Sequence, residues 1–284
     1  LWRYGDGCIA HERKPRGPMT DILFNALIFL ITYAGEVFGT IFGGGSFFIQ
    51  PGLIALGVGA KIAVANDIAS ACFSAYAYLY DQRRVIAERY RKYLKIFLVM
   101  FPGILIGTYI GAQVLKAIPS DYVVWFILFI ATAGLIHMAI QMRRQKSELE
   151  TVATTSEVKH WQIVGFLAAI LLGFYDGVSG AGGGTLQILT FAILFKMAMK
   201  ELIIMASLFS GISLSLASVN FFFVGLIDWG LLLYMIPAAI LAGFTASKIV
   251  QLTSERTLRL AFLTALTILL LYLGWDQVLS PLLA

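Results

Sequence analysis

An all-α integral membrane protein built from two internal repeats is the fold class that the sequence predicts. Three observations predict it: an apolar composition, apolar runs of membrane-crossing length, and a glycine triplet that recurs in the second half. Of the 284 residues, 59% are hydrophobic and only 13% are charged, against about 25% charged in ordinary soluble domains. A soluble fold could not bury that much apolar surface. Length is therefore read in spans of about 20 residues, each crossing about 30 Å of hydrocarbon.

Residues 1–18 carry His11, Arg13, Lys14 and Arg16 among glycines and prolines and read as a flexible tail or an expression remnant. Apolar runs then cover residues 22–42, 62–80, 94–115, 122–140, 163–178, 202–224, 229–249 and 258–275, which gives eight full spans. Two shorter runs, 47–58 and 186–195, follow the glycine triplets and are too short to cross. They read as half-helices. Residues 19–142 form the first transmembrane repeat, 143–160 a cytoplasmic linker, 161–276 the second repeat and 277–284 a C-terminal tail.

One offset of the chain against itself places Gly43, Gly44 and Gly45 on Gly182, Gly183 and Gly184, Lys61 on Lys200, and Ser74 on Ser213. After a shorter loop in the second copy, Pro102 falls on Pro237. Each match alone is weak, but the ordered set marks an internal duplication. Charge sets the orientation. The loop from Arg83 to Lys95 and the linker with Arg143, Arg144, Lys146 and Lys159 are rich in basic residues and belong in the cytoplasm. Keeping the basic positions of the second half, Lys196, Lys200, Lys248, Arg256 and Arg259, on that side requires residues 164–195 to descend and return around their glycines. Each repeat then has five elements, and the odd number inverts the second copy, as in many secondary transporters. Eight plain spans in parallel repeats would violate the charge rule.

The net charge of +5 lies in clusters between apolar runs and not on a face with interleaved aromatics, so the partners are the bilayer and a small solute, not nucleic acid. Cys8 and Cys72 are too few for a disulfide framework or a zinc site. No phosphate-binding loop, haem or zinc spacing, or nucleophile elbow occurs, so neither a cofactor nor an enzymatic activity is expected.

The candidate site lies in the two glycine breaks. Three glycines in a row weaken a helix by roughly 1 kcal/mol each relative to alanine, and a membrane tolerates unwound backbone only where protein or a water-filled cavity satisfies it. Each triplet precedes a hydroxyl residue, Ser46 or Thr185, so each also reads as a helix start with a capping side chain and free amides at the positive dipole end. Two such starts meeting near the midplane would hold a small oxyanion without a buried cation. Gly43, Gly44, Gly45, Ser46, Gly182, Gly183, Gly184 and Thr185 are the candidates for substrate binding, with Gln50, Asn66 and Gln187 as further polar candidates. The plainer alternative is that the glycines only let helices pack closely.

Glu36 and Asp176 precede the triplets at nearly equivalent positions. Buried acids in spans are functional candidates, and either could carry a coupling proton or help bind sodium, or else sit at water level and cap. Asp67, in the first turn of its helix, reads as structural. Ser70, Ser207 and Ser210 could line a path.

At Gly39-Thr40-Ile41-Phe42-Gly43-Gly44-Gly45, followed by Pro51, Leu53 and Gly57, and at Gly173-Phe174-Tyr175-Asp176-Gly177-Val178-Ser179-Gly180-Ala181-Gly182-Gly183-Gly184-Thr185, the chain resembles the sulfite exporter TauE/SafE family, the four-toluene sulfonate uptake permeases. The likeness runs from Met19 to Trp275, and the second motif is the more specific. It implies a bacterial or archaeal cytoplasmic-membrane carrier for a small sulfur-containing anion such as sulfite, thiosulfate, sulfoacetate or another sulfonate. Glu36 and Phe42 depart from the family pattern, so no coupling role for Glu36 comes from the resemblance. The competing readings are a passive anion channel, a carrier of a non-sulfur organic anion, and a membrane scaffold. A homo-oligomer is compatible with all of them, because periodicity does not separate a dimer face from a lipid face.

Overall fold

The computed structural model describes residues 18–114, 161–178, 180, 182–195, 197–258, 260–262, 264 and 267. All regular structure among them is helical. The helices are α1 (Pro18–Phe42), α2 (Ser46–Ala55), α3 (Ala60–Asp81), α4 (Arg83–Glu88), α5 (Tyr90–Val114), α6 (Trp161–Val178), α7 (Gly183–Phe195), α8 (Met199–Val224) and α9 (Trp229–Leu252). Six stretches are long and apolar enough to cross a membrane: Ile22–Phe42, Lys61–Asp81, Tyr93–Val114, Trp161–Val178, Met199–Val224 and Trp229–Leu252. α2 and α7 are the two shorter apolar helices, each starting at its glycine break. The span read at 122–140, the linker and most of the span read at 258–275 lie outside the described residues. The basic loop after α3 contains one element that the hydropathy pattern did not suggest, the short α4.

Large apolar side chains face outward along the spans, among them Leu98, Leu167, Leu171 and Leu233, each more than half exposed. In water such a surface would drive aggregation; in lipid it is the required solvent-facing surface. The protein is a multi-pass membrane protein.

Contacts fix the direction of each helix. α1 and α2 fold back on each other: a Cβ at Gly35 would fall 2.4 Å from Ile49, and one at Gly52 2.9 Å from Ile31. α1 runs parallel to α9, since Ile28 packs with Leu231 and Met235 while Tyr33 bonds Thr245 at 3.0 Å. α5 and α6 also run parallel, because Gly103, Gly107 and Gly111 meet the carbonyls of Phe166, Ile170 and Phe174 in that order.

The charged ends then sort themselves. Arg89, between α4 and α5, forms an ion pair with Glu201 at the start of α8. Lys200 Nζ donates to the Gln251 carbonyl at 3.2 Å, and Lys95 lies over the Trp161 ring, 5.4 Å from its centroid. Basic residues of both halves thus share one end of the molecule. At the other end, Asn66 near the start of α3 accepts from the Asp228 amide at 3.0 Å and donates to the Leu226 carbonyl at 3.3 Å. α3 therefore runs toward the basic end and α8 away from it. The α1–α2 hairpin comes from the far end, whereas α6 starts at the basic end and α7 returns there, with Phe195 5.5 Å from Trp161, ring to ring.

A buried polar knot ties α3 to α9 at the basic end. Gln82 Nε2 donates to Ser247 Oγ at 2.9 Å, and that hydroxyl donates to Asp81 Oδ2 at 2.6 Å. Ser247 is fully buried, so Ser247→Ala leaves the Gln82 amide short of an acceptor in a place water does not reach. The expected loss is about 1–3 kcal/mol, read as a lower melting temperature of the detergent-solubilised protein.

Candidate functional site

The tip of the α1–α2 hairpin is built around close backbone approach. A Cβ at Gly45 would lie 2.2 Å from the Gly35 carbonyl and 2.9 Å from the Gly39 Cα, so only hydrogen fits between the two strands of the hairpin. Gly43 adopts φ +81°, a left-handed conformation open to glycine at little cost. The second break contains the same feature at Gly182, with φ +79°.

The two breaks touch. A Cβ at Gly43 would stand 1.9 Å from the Thr185 nitrogen, and one at Gly184 would stand 2.8 Å from the Gly43 Cα. The Thr185 hydroxyl donates to the Phe42 carbonyl at 2.7 Å. A residue of the second half thereby satisfies an acceptor at the C-terminal end of α1, where helix carbonyls lack intrahelical partners. The structure differs here from the sequence expectation that Ser46 and Thr185 cap their own half-helices. Gly45 already has helical φ and ψ of −59° and −39°, and no side chain caps α2. A capping residue must sit outside the helix with extended backbone, whereas Ser46 is the first residue within α2.

Beside this contact lies a cavity of about 60 Å³. A single water needs roughly 10–15 Å³ on the same measure, so the cavity has room for a solute the size of a few waters. Its polar lining is Glu36 and Thr40 of α1, Ser46 of α2, and Ser207 and Ser210 of α8. Gly43 and Gly45 of one break and Gly180 and Gly184 of the other complete that wall, and among the described residues no lysine, arginine or histidine lines it. At the start of α2, Phe47 and Phe48 donate to Gly44 and Gly45 at 3.2 and 2.9 Å, while the amides of Gly45 and Ser46 donate to no described backbone carbonyl. Such amides at a helix start suit an anion.

The sequence candidates separate into three groups. Gly43, Gly45, Ser46, Gly184 and Glu36 line the cavity; Gly44, Gly182, Gly183 and Thr185 belong to the breaks but not to its lining. Gln50 and Gln187 sit behind the wall, each donating to an aspartate. Gln50 Nε2 reaches Asp67 Oδ2 at 2.8 Å; Gln187 Nε2 reaches Asp176 Oδ2 at 2.7 Å. Ser213 also donates to Asp176, and Ser210 of the lining donates to Gln187 Oε1 at 2.9 Å. A chain of hydrogen bonds thus links the cavity to Asp176, which is itself buried. Asn66 lies apart: both ends of its amide are engaged with Ile62, Leu226 and Asp228 at the far end of the molecule.

Thr40 and Ser74 were not singled out as site residues by the sequence. They bond each other at 2.5 Å. The available signal was the spacing of Glu36, Thr40 and Gly43 along α1, which places them on one helical face.

A family model described as "Sulfite exporter TauE/SafE" matches residues 27–273. The chain is also similar to the protein of Bacillus subtilis (strain 168) named "Probable membrane transporter protein YunE", with 24% identity over 253 residues, covering 83% of this chain and 91% of that protein. No solved structure matches. With six membrane-crossing helices, two touching glycine breaks and a match across most of its length, the chain belongs to the sulfite exporter TauE/SafE family of membrane transporters.

Proposed function

We propose that the protein is a secondary transporter that moves a small sulfur-containing anion, such as sulfite, thiosulfate, sulfoacetate or another sulfonate, across the cytoplasmic membrane of a bacterium or archaeon. The observation that carries this reading is the backbone contact between the two glycine breaks beside a cavity lined by hydroxyls and helix-start amides. An oxyanion of that size would accept from the Gly45 and Ser46 amides and from the hydroxyls of Thr40, Ser46 and Ser207. Binding then comes from oriented dipoles, and no buried cation needs to be desolvated.

In this reading the chain has eight spans and two inverted repeats. The opposed directions of α3 and α8, and the approach of the two re-entrant hairpins from opposite ends, support inversion. Rocking of one repeat against the other about the Gly43–Thr185 contact would expose the cavity to each side in turn. Glu36, facing the cavity, and Asp176, tied to it through Gln187 and Ser210, are the acids available to a coupling proton or sodium ion.

The test is uptake by proteoliposomes containing purified protein, comparing sulfite, thiosulfate and sulfonates with sulfate and simple carboxylates. The expected result is saturable uptake of a sulfur anion. Uptake of carboxylates alone would remove the sulfur assignment, and a non-saturating current would replace the carrier by a channel.

A further inference from the structure

We propose that Asp176 is the site of a coupling proton, and that a hydrogen-bond relay through Gln187 turns Ser210 from an acceptor into a donor toward the cavity when that proton binds. The proposal rests on the reading of the cavity as an anion site and names the ion that travels with the anion. Three bonds draw the relay. Ser210 Oγ donates to Gln187 Oε1 at 2.9 Å, Gln187 Nε2 donates to Asp176 Oδ2 at 2.7 Å, and Ser213 Oγ donates to the same carboxylate oxygen. Asp176, Gln187 and Ser213 are each no more than 2% exposed, so water does not compete for these bonds. Ser210 lines the cavity and carries their state to it.

The direction of every bond follows from counting protons. An ionised carboxylate only accepts, and a serine hydroxyl has a single proton to give. With Asp176 ionised, the Gln187 amide turns its nitrogen to the carboxylate, its oxygen takes the Ser210 proton, and Ser210 shows the cavity only lone pairs. That face repels an anion. A proton taken from water onto Asp176 Oδ2 reverses the order. The acid O–H then donates to the amide oxygen, the amide turns end for end, its N–H donates to Ser210 Oγ, and the Ser210 O–H swings into the cavity. The two ends of the amide are nearly equal in shape, so the reversal needs no repacking. No proton passes along the relay; one is gained at the carboxyl and the other bonds change direction. Anion and proton then raise each other's affinity by the same factor.

The first half of the chain lacks the relay. The offset that aligns the glycine triplets sets Ser74 on Ser213, but it sets Val37 on Asp176, Phe48 on Gln187 and Ala71 on Ser210. A short helix after a glycine break therefore forms in the first half with apolar residues at all three places. The three polar residues of the second half are not a demand of the break itself.

α5, α7 and α8 pack against α6, and their titratable groups lie away from the carboxyl. α7 has none. The charged residues of α8 are Lys200 and Glu201, in its first turn at the basic end. Those of α5, with Tyr90 and Tyr93, lie in its first two turns; Tyr109 is exposed. Since α5 runs parallel to α6, these turns meet the opposite end of α6 from Asp176. On α6 itself Tyr175 is buried, its hydroxyl 3.8 Å from where a Cβ at Gly182 would stand. Glu36 lines the cavity from α1 and is the acid from which Asp176 must be told apart.

The experiment measures, by calorimetric titration of the purified full chain over a range of pH, the affinity for thiosulfate, ethanesulfonate and nitrate, which stay ionised throughout. The expected result is binding at least about tenfold tighter at acid than at alkaline pH, within the usual range for coupled ligands. Asp176→Asn places an amide N–H where the acid would place its O–H, so this variant should bind with the wild type's acid affinity at every pH. Glu36→Gln should keep the slope. If Asp176→Asn does not fold, Gln187→Met, which keeps the carboxylate and cuts the relay, should flatten most of the profile. A flat wild-type profile overturns the proposal. So does an Asp176→Asn protein that binds more weakly but keeps the wild-type slope, which is what a merely structural carboxylate predicts, and so does a slope lost in Glu36→Gln instead. Nitrate binding with the expected profile, while neither sulfur anion binds, supports the relay and removes the sulfur assignment. A protein that binds no probe at any pH overturns the relay together with the anion site.

Discussion

Gly107→Leu is expected to abolish the folded protein, with the purified variant running as aggregate on size-exclusion chromatography in detergent. Gly107 lies in the middle of a seam where Gly103, Gly107 and Gly111 of α5 face Phe166, Ile170 and Phe174 of α6, while Gly173 and Gly177 of α6 face Ile104 and Thr108 of α5. A Cβ at Gly107 would fall 2.1 Å from the Ile170 carbonyl oxygen and 2.7 Å from the Phe174 nitrogen. These are backbone atoms in the middle of a helix, so no rotamer change makes room. Lipid supplies no hydrophobic drive between helices, and close backbone packing is what holds such a pair together. The cost should reach or exceed about 3 kcal/mol, the upper part of the ordinary range for overpacking. Gly165→Ala on α6 is the matched control: its Cβ would meet nothing nearer than Met100 at 3.6 Å, and helix propensity favours alanine by about 1 kcal/mol. That variant should melt at or slightly above the wild-type temperature, and equal damage from both would remove the seam from the account.

That seam shows where sequence reading stops. The spacing of four residues between Gly103, Gly107 and Gly111 was visible, but small-residue spacing recurs in many membrane helices and names no partner. Only the parallel approach of α6, from the other half of the chain, shows what the glycines are for. Hydropathy located the six described spans within a few residues, because crossing length is set by bilayer thickness. It passed over α4, which is too short and too charged to register. The triplets were legible because breaking a helix in lipid demands a reason, and their mutual contact followed from treating them as a pair. The side-chain partners did not follow. Ser46 and Thr185 looked like caps from their position after glycine, yet Ser46 lies within α2 and lines the cavity, and Thr185 bonds the end of α1. Both outcomes depend on tertiary neighbours that local sequence does not encode. Asp67 looked structural because an aspartate in the first turn of a helix has a ready local explanation; its orphaned oxygen is visible only once α1 and α2 are packed around it.

Gly43→Ala is expected to stop transport while leaving a protein that inserts and purifies. The added methyl would sit 1.9 Å from the Thr185 nitrogen and 2.1 Å from the Gly184 carbonyl carbon, at a residue whose φ of +81° costs a residue with a Cβ roughly 1–2 kcal/mol. The hairpin tips must move apart, and the lining that Gly43, Gly45 and Gly184 share moves with them. A displacement of about 1 Å at a positioned site can cost roughly a hundredfold in rate, so uptake by proteoliposomes should fall by about that factor. Gly59→Ala, where the nearest atom is Ile62 at 4.0 Å, should transport at the wild-type rate. Thr185→Val separates shape from bonding. It keeps the branched side chain but leaves the Phe42 carbonyl without its donor, at a cost of about 1–3 kcal/mol, and Thr185→Ser should restore most of the loss. If the hydrogen bond holds the two halves in one of the states between which transport alternates, Thr185→Val changes the maximal rate and the half-saturating concentration together. A Gly43→Ala protein that transports at the wild-type rate would show instead that the tips need not meet, and the cavity beside them would lose its claim to be the anion site.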